Sequence, residues 1–181
     1  FPVQLWNCTH PTTTSAATTL INTWNNSYES RLAWTDKKYF WKLNNGTCSG
    51  ASATAIASGK KTYYYSLGVD VQQNAMFSIA RHAKSIGKAA GVATNAKFYD
   101  ATPGAFFTNN IDRENSNELS RQAIIESNAD VITGCGHPEY DKNGQLRTTP
   151  DYDGLGGETM LQDLRNSATT YQVASNSGMT T

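Results

Sequence analysis

The rhythm of apolar and polar positions along this chain changes near residue 49. Residues 1 to 46 mix Thr, Asn and aromatic side chains without a sustained period. Within them, Phe1 to Cys8 is compatible with a strand, and Thr12 to Asn26 with loop or weak helix. Tyr39-Phe40-Trp41-Lys42-Leu43 has the aromatic signature of a short strand, which Asn44-Asn45-Gly46 ends with a turn. From Ser49 onward the segments become regular. Ala51 to Ser58 is a run of small, helix-compatible residues, and Gly59 is placed to stop it. Asn74 to Ser85 predicts an amphipathic helix with Met76, Ile79, Ala80 and Ala83 on one face and Gly87 beyond its end. Ala89 to Thr94 reads as a buried strand of small residues. A turn at Tyr99-Asp100 leads to Pro103, which suits the first turn of the next helix. Glu118 to Ser127 predicts a helix, and Ala129 to Thr133 a strand entering the turn Gly134-Cys135-Gly136. Asp141-Lys142-Asn143-Gly144 is a tight turn, Glu158 to Asn166 a helix and Tyr171 to Ala174 a strand.

Helices thus alternate with short strands after residue 49, the order that builds a mostly parallel sheet flanked by helices. The expected fold class is α/β. Neither an internal repeat nor a linker divides the chain, so residues 1–181 are read as a single domain.

Composition narrows the classes of partner. The 15 basic and 15 acidic residues give a formal net charge of +0, which leaves no basic footprint for nucleic acid or an anionic membrane. Only 17% of residues are charged, so the surface is expected to be hydrated by Ser, Thr and Asn. No apolar run approaches the ~20 residues that span a bilayer. The opening Phe1-Pro2-Val3-Gln4-Leu5-Trp6 has neither a basic segment nor a small-residue cleavage site, so a mature or truncated product is expected. The three cysteines, Cys8, Cys48 and Cys135, are too few for a disulfide framework and leave the compartment open. Asn-x-Ser/Thr triplets at Asn7, Asn25 and Asn45 carry little weight in so Asn- and Thr-rich a chain.

The most informative stretch is Thr47 to Ala55. It places Ser49 where a loop enters a helix of very small residues. There the first N–H groups lack intrahelical partners and the helix dipole favours negative charge, so a nucleophile at this point suits a phosphoryl group. On local pattern alone, the plainer reading of Ser49 as a helix cap is the stronger. Gly46-Thr47-Cys48-Ser49-Gly50 does not have the G-x-S-x-G spacing of a serine-hydrolase elbow. His10, His82 and His137 have no context that marks a general base, and Cys48 lacks an assigned base too. A second stretch runs from Tyr99 to Phe106. Asp100 and Thr102 lie two apart at a strand end and offer hard oxygens of the kind that suit Mg2+. Taken alone, an ordinary helix cap explains them. Arg113 carries a planar fork able to hold two phosphate oxygens.

In combination these segments say more. Thr47-x-Ser49-x-Ala51-Ser52-Ala53-Thr54-Ala55, then Gly59-Lys60-Lys61-Thr62-Tyr63, then Leu67-Gly68-Val69-Asp70 resembles the nucleophile region of the alkaline phosphatases. The order that follows is similar as well: Gly91-Val92, then Asp100-Ala101-Thr102-Pro103, then Arg113. Ser49 precedes Asp100 by 51 residues and Arg113 follows Asp100 by 13, which fits the bacterial members. Ala129 to Gly136 resembles their later strand and glycine turn, and Phe1 to Leu5 and Leu32 to Asp36 their segment upstream of the serine. The resemblance implies a three-layer α/β/α phosphomonoesterase with Zn2+ and Mg2+ as cofactors and phosphate monoesters as substrates. It implies Ser49 as nucleophile and zinc ligand, passing through a phosphoserine, and Arg113 as the clamp on the phosphate oxygens. It further implies Thr102 as a direct magnesium ligand and Asp100 as a contact to that magnesium through water. Metal activation replaces the missing base, because zinc lowers the pKa of serine and of water. Family members are commonly periplasmic or extracellular and often homodimeric.

Three departures change the expectation. Cys48 stands where the family has an Asp that orients the arginine, so Arg113 is expected to be more mobile and phosphate held less tightly. Gly50 replaces a common Ala, which is expected to loosen the helix start slightly. No Asp-His pair and no Asp four residues before a histidine provides the zinc ligands, so the chain is expected to be a central portion of a larger phosphatase domain. The alternatives are a related phosphodiesterase or sulfatase-like hydrolase, and a catalytically silent phosphate- or partner-binding module. The Ser nucleophile favours monoesters over the former, since the diesterases of this superfamily commonly use Thr.

Overall fold

A computed structural model describes residues 48–141 and 143–166, together with Arg31, Thr35 and Asp36. The readings at Phe1 to Cys8, Thr12 to Asn26, Tyr39 to Leu43 and Tyr171 to Ala174 lie outside the described residues.

Helix α1 (Ser49–Ser58) starts on Cys48, whose backbone is extended and whose Sγ accepts a hydrogen bond from the Ala51 N–H at 3.3 Å. It stops at Gly59, which takes the left-handed φ of 73° that glycine adopts without strain. Gly50, Ala51, Ala53, Thr54, Ala55 and Ala57 are all buried, so the helix is covered on most of its circumference by close neighbours. Gly50 is where that closeness is tightest. A Cβ there would meet the Ser66 carbonyl oxygen at 2.8 Å, so this glycine is required by packing and does not merely loosen the helix start.

Helix α2 (Ile79–Ser85) is shorter than its sequence pattern predicts. Ser78 caps it, its Oγ accepting from the Arg81 N–H at 3.2 Å, and this leaves Asn74 to Phe77 outside. Met76 is buried from that preceding segment, whereas no residue of α2 is buried and Ile79 is 59% exposed. The expected apolar face is therefore not a core face among the described residues.

Strands β1 (Gly91–Lys97) and β2 (Val131–Cys135) pair in parallel, with Gly91 opposite Val131 and Ala93 opposite Thr133. Between them run α3 (Ala101–Gly104), α4 (Ser116–Arg121) and a π-helical turn over Gln122–Glu126. Helix α5 (Glu158–Arg165) follows β2. The α/β expectation is met: a parallel sheet with helical connections. β2 begins at Val131 rather than Ala129 because Asp130 is engaged beforehand. Its N–H donates to the Ala90 carbonyl at 2.8 Å, and its carboxylate accepts from the Ala90 N–H at 2.7 Å and from Lys84 at 2.8 Å. β1 was expected to be buried; instead exposed and half-buried positions alternate along it. A parallel sheet buries both faces only when helices cover both, and the described elements do not cover these.

The core forms beside the sheet. Ala53 of α1, Leu67, Tyr99, Ala101 of α3, Ala105 and Leu119 of α4 make one cluster. Ile124, Leu155, Leu161 and Leu164 make a second, which ties α5 to the π-helical turn, and Phe98 packs against both. Among the described residues no helix is long and apolar enough to cross a membrane.

Candidate active site

Three chain segments converge at the N-terminus of α1. The first is α1 itself, with Ser49 as its exposed first residue. The second is the Tyr65 to Gly68 segment, laid against α1 by the buried Thr54, whose Oγ1 accepts from the Gly68 N–H at 2.9 Å. The third is the stretch from Asn110 to Arg113. It runs antiparallel to the second, with two Leu67–Asn110 backbone hydrogen bonds of 2.8 Å and one from the Arg113 N–H to the Tyr65 carbonyl at 2.7 Å. That ladder fixes where the Arg113 side chain starts.

The guanidinium then reaches two of the predicted residues at once. Its Nη1 donates to Ser49 Oγ at 2.5 Å and its Nη2 to Asp100 Oδ1 at 2.9 Å. Ser49, Asp100 and Arg113, separated by up to 64 positions in sequence, are thus gathered into one cluster. Nε lies 3.3 Å from Glu114 Oε1, within ion-pair range, but is shielded from solvent without an aligned hydrogen bond. Asp100 also caps α3, the same Oδ1 accepting from the Ala101 N–H at 2.7 Å. Thr102 is exposed on α3 and stands apart from these contacts.

The carboxylate that accepts a hydrogen bond from the Arg113 guanidinium is therefore Asp100, with Glu114 as a second ion-pair partner at Nε. Cys48 cannot make an ion pair, but the side chain expected to move is gripped by Asp100, Ser49 and the ring of Tyr65, 5.8 Å from the guanidinium carbon. The expectation of a loose arginine is replaced by that of an arginine held from other directions. Cys48 instead works on the backbone, its Sγ accepting from both Ala51 N–H and Tyr65 N–H.

Beside the cluster opens a cleft of about 410 Å3 lined by Lys97, Tyr99, Asp100, Arg113, Asp151 and Asp153, among others. Lys97 lies over the Tyr99 ring at 5.4 Å. At Tyr64, burial foremost, and then the neighbouring Tyr65 and Cys48, raise the phenol pKa above its ordinary value, with Arg113 opposing. A phenol so placed keeps its proton further into alkaline pH.

The expected metals fit the described residues poorly. Among the described residues no three His, Cys, Asp or Glu side chains converge as a metal site. Asp100 Oδ1 already serves Arg113 and the α3 cap, and with Thr102 it supplies few of the six oxygens that Mg2+ demands.

The alkaline phosphatase family model matches residues 12–178. The chain belongs to the alkaline phosphatase family. Its relatives include alkaline phosphatase 4 of Bacillus subtilis, 30% identical over 109 residues that make up 58% of this chain and 24% of the relative. Alkaline phosphatase H of Pseudomonas aeruginosa is 40% identical over 111 residues, 61% of this chain and 22% of the relative. Among solved structures, the cold-active alkaline phosphatase of a psychrophilic Shewanella superposes with a TM-score of 0.55 at 31% identity. That match covers 67% of this chain and 26% of the other. The chain thus spans about a quarter of the length of the relatives it matches. Asp100 as the partner of Arg113 and Tyr65 as its neighbour escaped the sequence reading. The one available signal is that Asp100 precedes Arg113 by 13 residues in the family-like order.

Proposed function

We propose that this chain carries the phosphoryl-accepting part of a phosphomonoesterase, with Ser49 as nucleophile and Arg113 as the phosphate clamp. The observation that carries the reading is the Arg113 Nη1 to Ser49 Oγ hydrogen bond of 2.5 Å at a helix N-terminus. A cationic donor on Oγ favours the oxygen's negative form, and the same fork can hold phosphate oxygens as they gain charge. The helix dipole of α1 adds positive potential at the same point. Attack forms an Oγ–P bond as the bond from phosphorus to the leaving oxygen breaks, the hydroxyl proton passing to solvent and the leaving oxygen taking one from it. Water then cleaves the phosphoserine and releases orthophosphate. In-line phosphoryl transfer is largely a matter of positioning and charge, which these parts address.

The resemblance assigns activation of Ser49 to zinc and support of the site to magnesium, through Thr102 and Asp100. The described residues supply no complete ligand set, so no step is routed through a metal. Export to the periplasm or cell exterior, a homodimer, and residues 1–181 as part of a larger domain belong to the same reading.

The test is hydrolysis of a chromogenic phosphate monoester at alkaline pH with added Zn2+ and Mg2+, with and without chelator, beside Ser49→Ala. Chelator-sensitive turnover that vanishes in Ser49→Ala is the expected result. Turnover that survives Ser49→Ala would overturn the assignment of the nucleophile. Phosphate binding without turnover would instead give the silent binding module.

A further inference from the structure

Tyr65 is in a backbone conformation that a tyrosine rarely takes. Its φ is 69°, in the left-handed region, and only two other described non-glycine residues share that sign. Such conformations persist where surrounding contacts hold them, and they gather at sites where the geometry is used. Three contacts hold this one. The Tyr65 N–H donates to Cys48 Sγ at 3.2 Å, which ties it to the residue before Ser49. Its carbonyl accepts from the Arg113 N–H at 2.7 Å, which ties it to the main chain of the arginine. Its ring lies 5.8 Å from the Arg113 guanidinium carbon, within the range of a cation–π contact. The neighbouring Tyr64 ring, 4.6 Å away between centroids, packs against it.

We infer that Tyr65 is the positioning residue that sets Arg113 relative to Ser49. The inference rests on the phosphate-clamp reading of Arg113. Tyr65 touches no reacting atom; it acts through the arginine. Cys48 and Tyr65 together perform an orienting task by a different route from a carboxylate at position 48. The thiol fixes the backbone of Tyr65, and the ring fixes the plane of the guanidinium. Asp100 grips Nη2, so the ring and the carboxylate restrain the fork from separate directions. A fork held in its plane binds a tetrahedral anion without first losing side-chain freedom, so removing the ring is expected to weaken phosphate binding.

The experiment uses the full 181-residue chain and inorganic phosphate as probe, with Tyr65→Phe and Tyr65→Gly. Glycine accepts the left-handed φ, so Tyr65→Gly removes the ring without forcing the backbone to move. Tyr65→Phe is expected to keep the wild-type dissociation constant for phosphate, and Tyr65→Gly to raise it about twofold to fivefold. In an Arg113→Lys background, Tyr65→Gly is expected to have no further effect, because residues that act as a unit are not additive. A loss of the same size in both backgrounds would overturn the inference. So would a loss in Tyr65→Phe equal to that in Tyr65→Gly. A readout independent of phosphate is the Arg113 Nε–H resonance, assigned by its disappearance in Arg113→Lys. It should shift in Tyr65→Gly and stay in place in Tyr65→Phe. An Arg113 resonance indifferent to Tyr65→Gly refutes the positioning role even where the protein binds no phosphate. Absent phosphate binding with a responsive resonance refutes only the phosphate-clamp reading.

Discussion

The N-terminal end of α1 and the exposed face of α2 make an instructive pair. Both follow a polar cap, Cys48 and Ser78, and both begin on a hydrogen bond to the cap's side chain. Around α1, small residues let the Tyr65 to Gly68 segment and α3 approach so closely that Ala53, Leu67 and Ala101 share one cluster. Around α2, Ile79 is 59% exposed and Ile86 58%, with Phe77 just before the helix at 60%. Sequence pattern makes α2 the more amphipathic of the two, yet α1 is the helix that is buried. A run of Ala, Gly and Ser has little hydrophobic driving force per residue, but it permits the close packing that fixes a side chain in place. The Ser49–Arg113 cluster sits where packing is tight, and the apolar stripe sits where the described elements leave it uncovered.

Leu67→Ala attacks the tight side of this comparison most directly. Leu67 is 0% exposed at the centre of the α1 cluster, so unfolding by denaturant should show a loss of about 3 kcal/mol. Gly59→Ala comes next. A Cβ there meets nothing within 4 Å, so the cost is only that of the left-handed φ of 73°, about 1 kcal/mol. Glu118 of α4 gives a pH-dependent effect. Hydrogen bonds from Arg121, foremost, and Gln122 hold its carboxyl at about 2 against an ordinary 4.5. A depressed carboxyl contributes stability that is present above the ordinary value and lost as pH falls from 4.5 towards 2. Denaturation midpoints across that window should flatten in Glu118→Gln. The smallest effect belongs to the loose side: Ile79→Ser should change stability by no more than about 0.5 kcal/mol. A larger loss would show that something covers this face in solution.

Much of this is legible in the sequence alone. Gly59 as a stop, Asp100 at a turn ahead of Pro103, the Asp141 to Gly144 turn and the α5 span each follow from local chemistry. The caps and φ values bear them out. The early start assigned to α2 ignored Ser78, a cap signal present in the sequence. The buried strand assigned to β1 failed for another reason. A small-residue run reports that a strand can be covered, and coverage depends on elements elsewhere in the chain. Gly50 illustrates the limit most clearly. Its need for a missing Cβ comes from the Ser66 carbonyl, a contact that no spacing rule contains. Likewise, the Arg113 side chain starts from a segment that a backbone ladder pairs with Leu67, and the sequence alone does not show which segments pair.

Ser49 and Arg113 are proposed to form one phosphate-handling unit. The most direct measurement is to incubate the chain with excess orthophosphate, quench in acid and map phosphorylated peptides by mass spectrometry, beside Arg113→Ala. Phosphate on Ser49 in the wild-type chain, strongly reduced in Arg113→Ala, is the predicted result. Phosphate on another residue, on none, or on Ser49 to an equal extent in both proteins would contradict it.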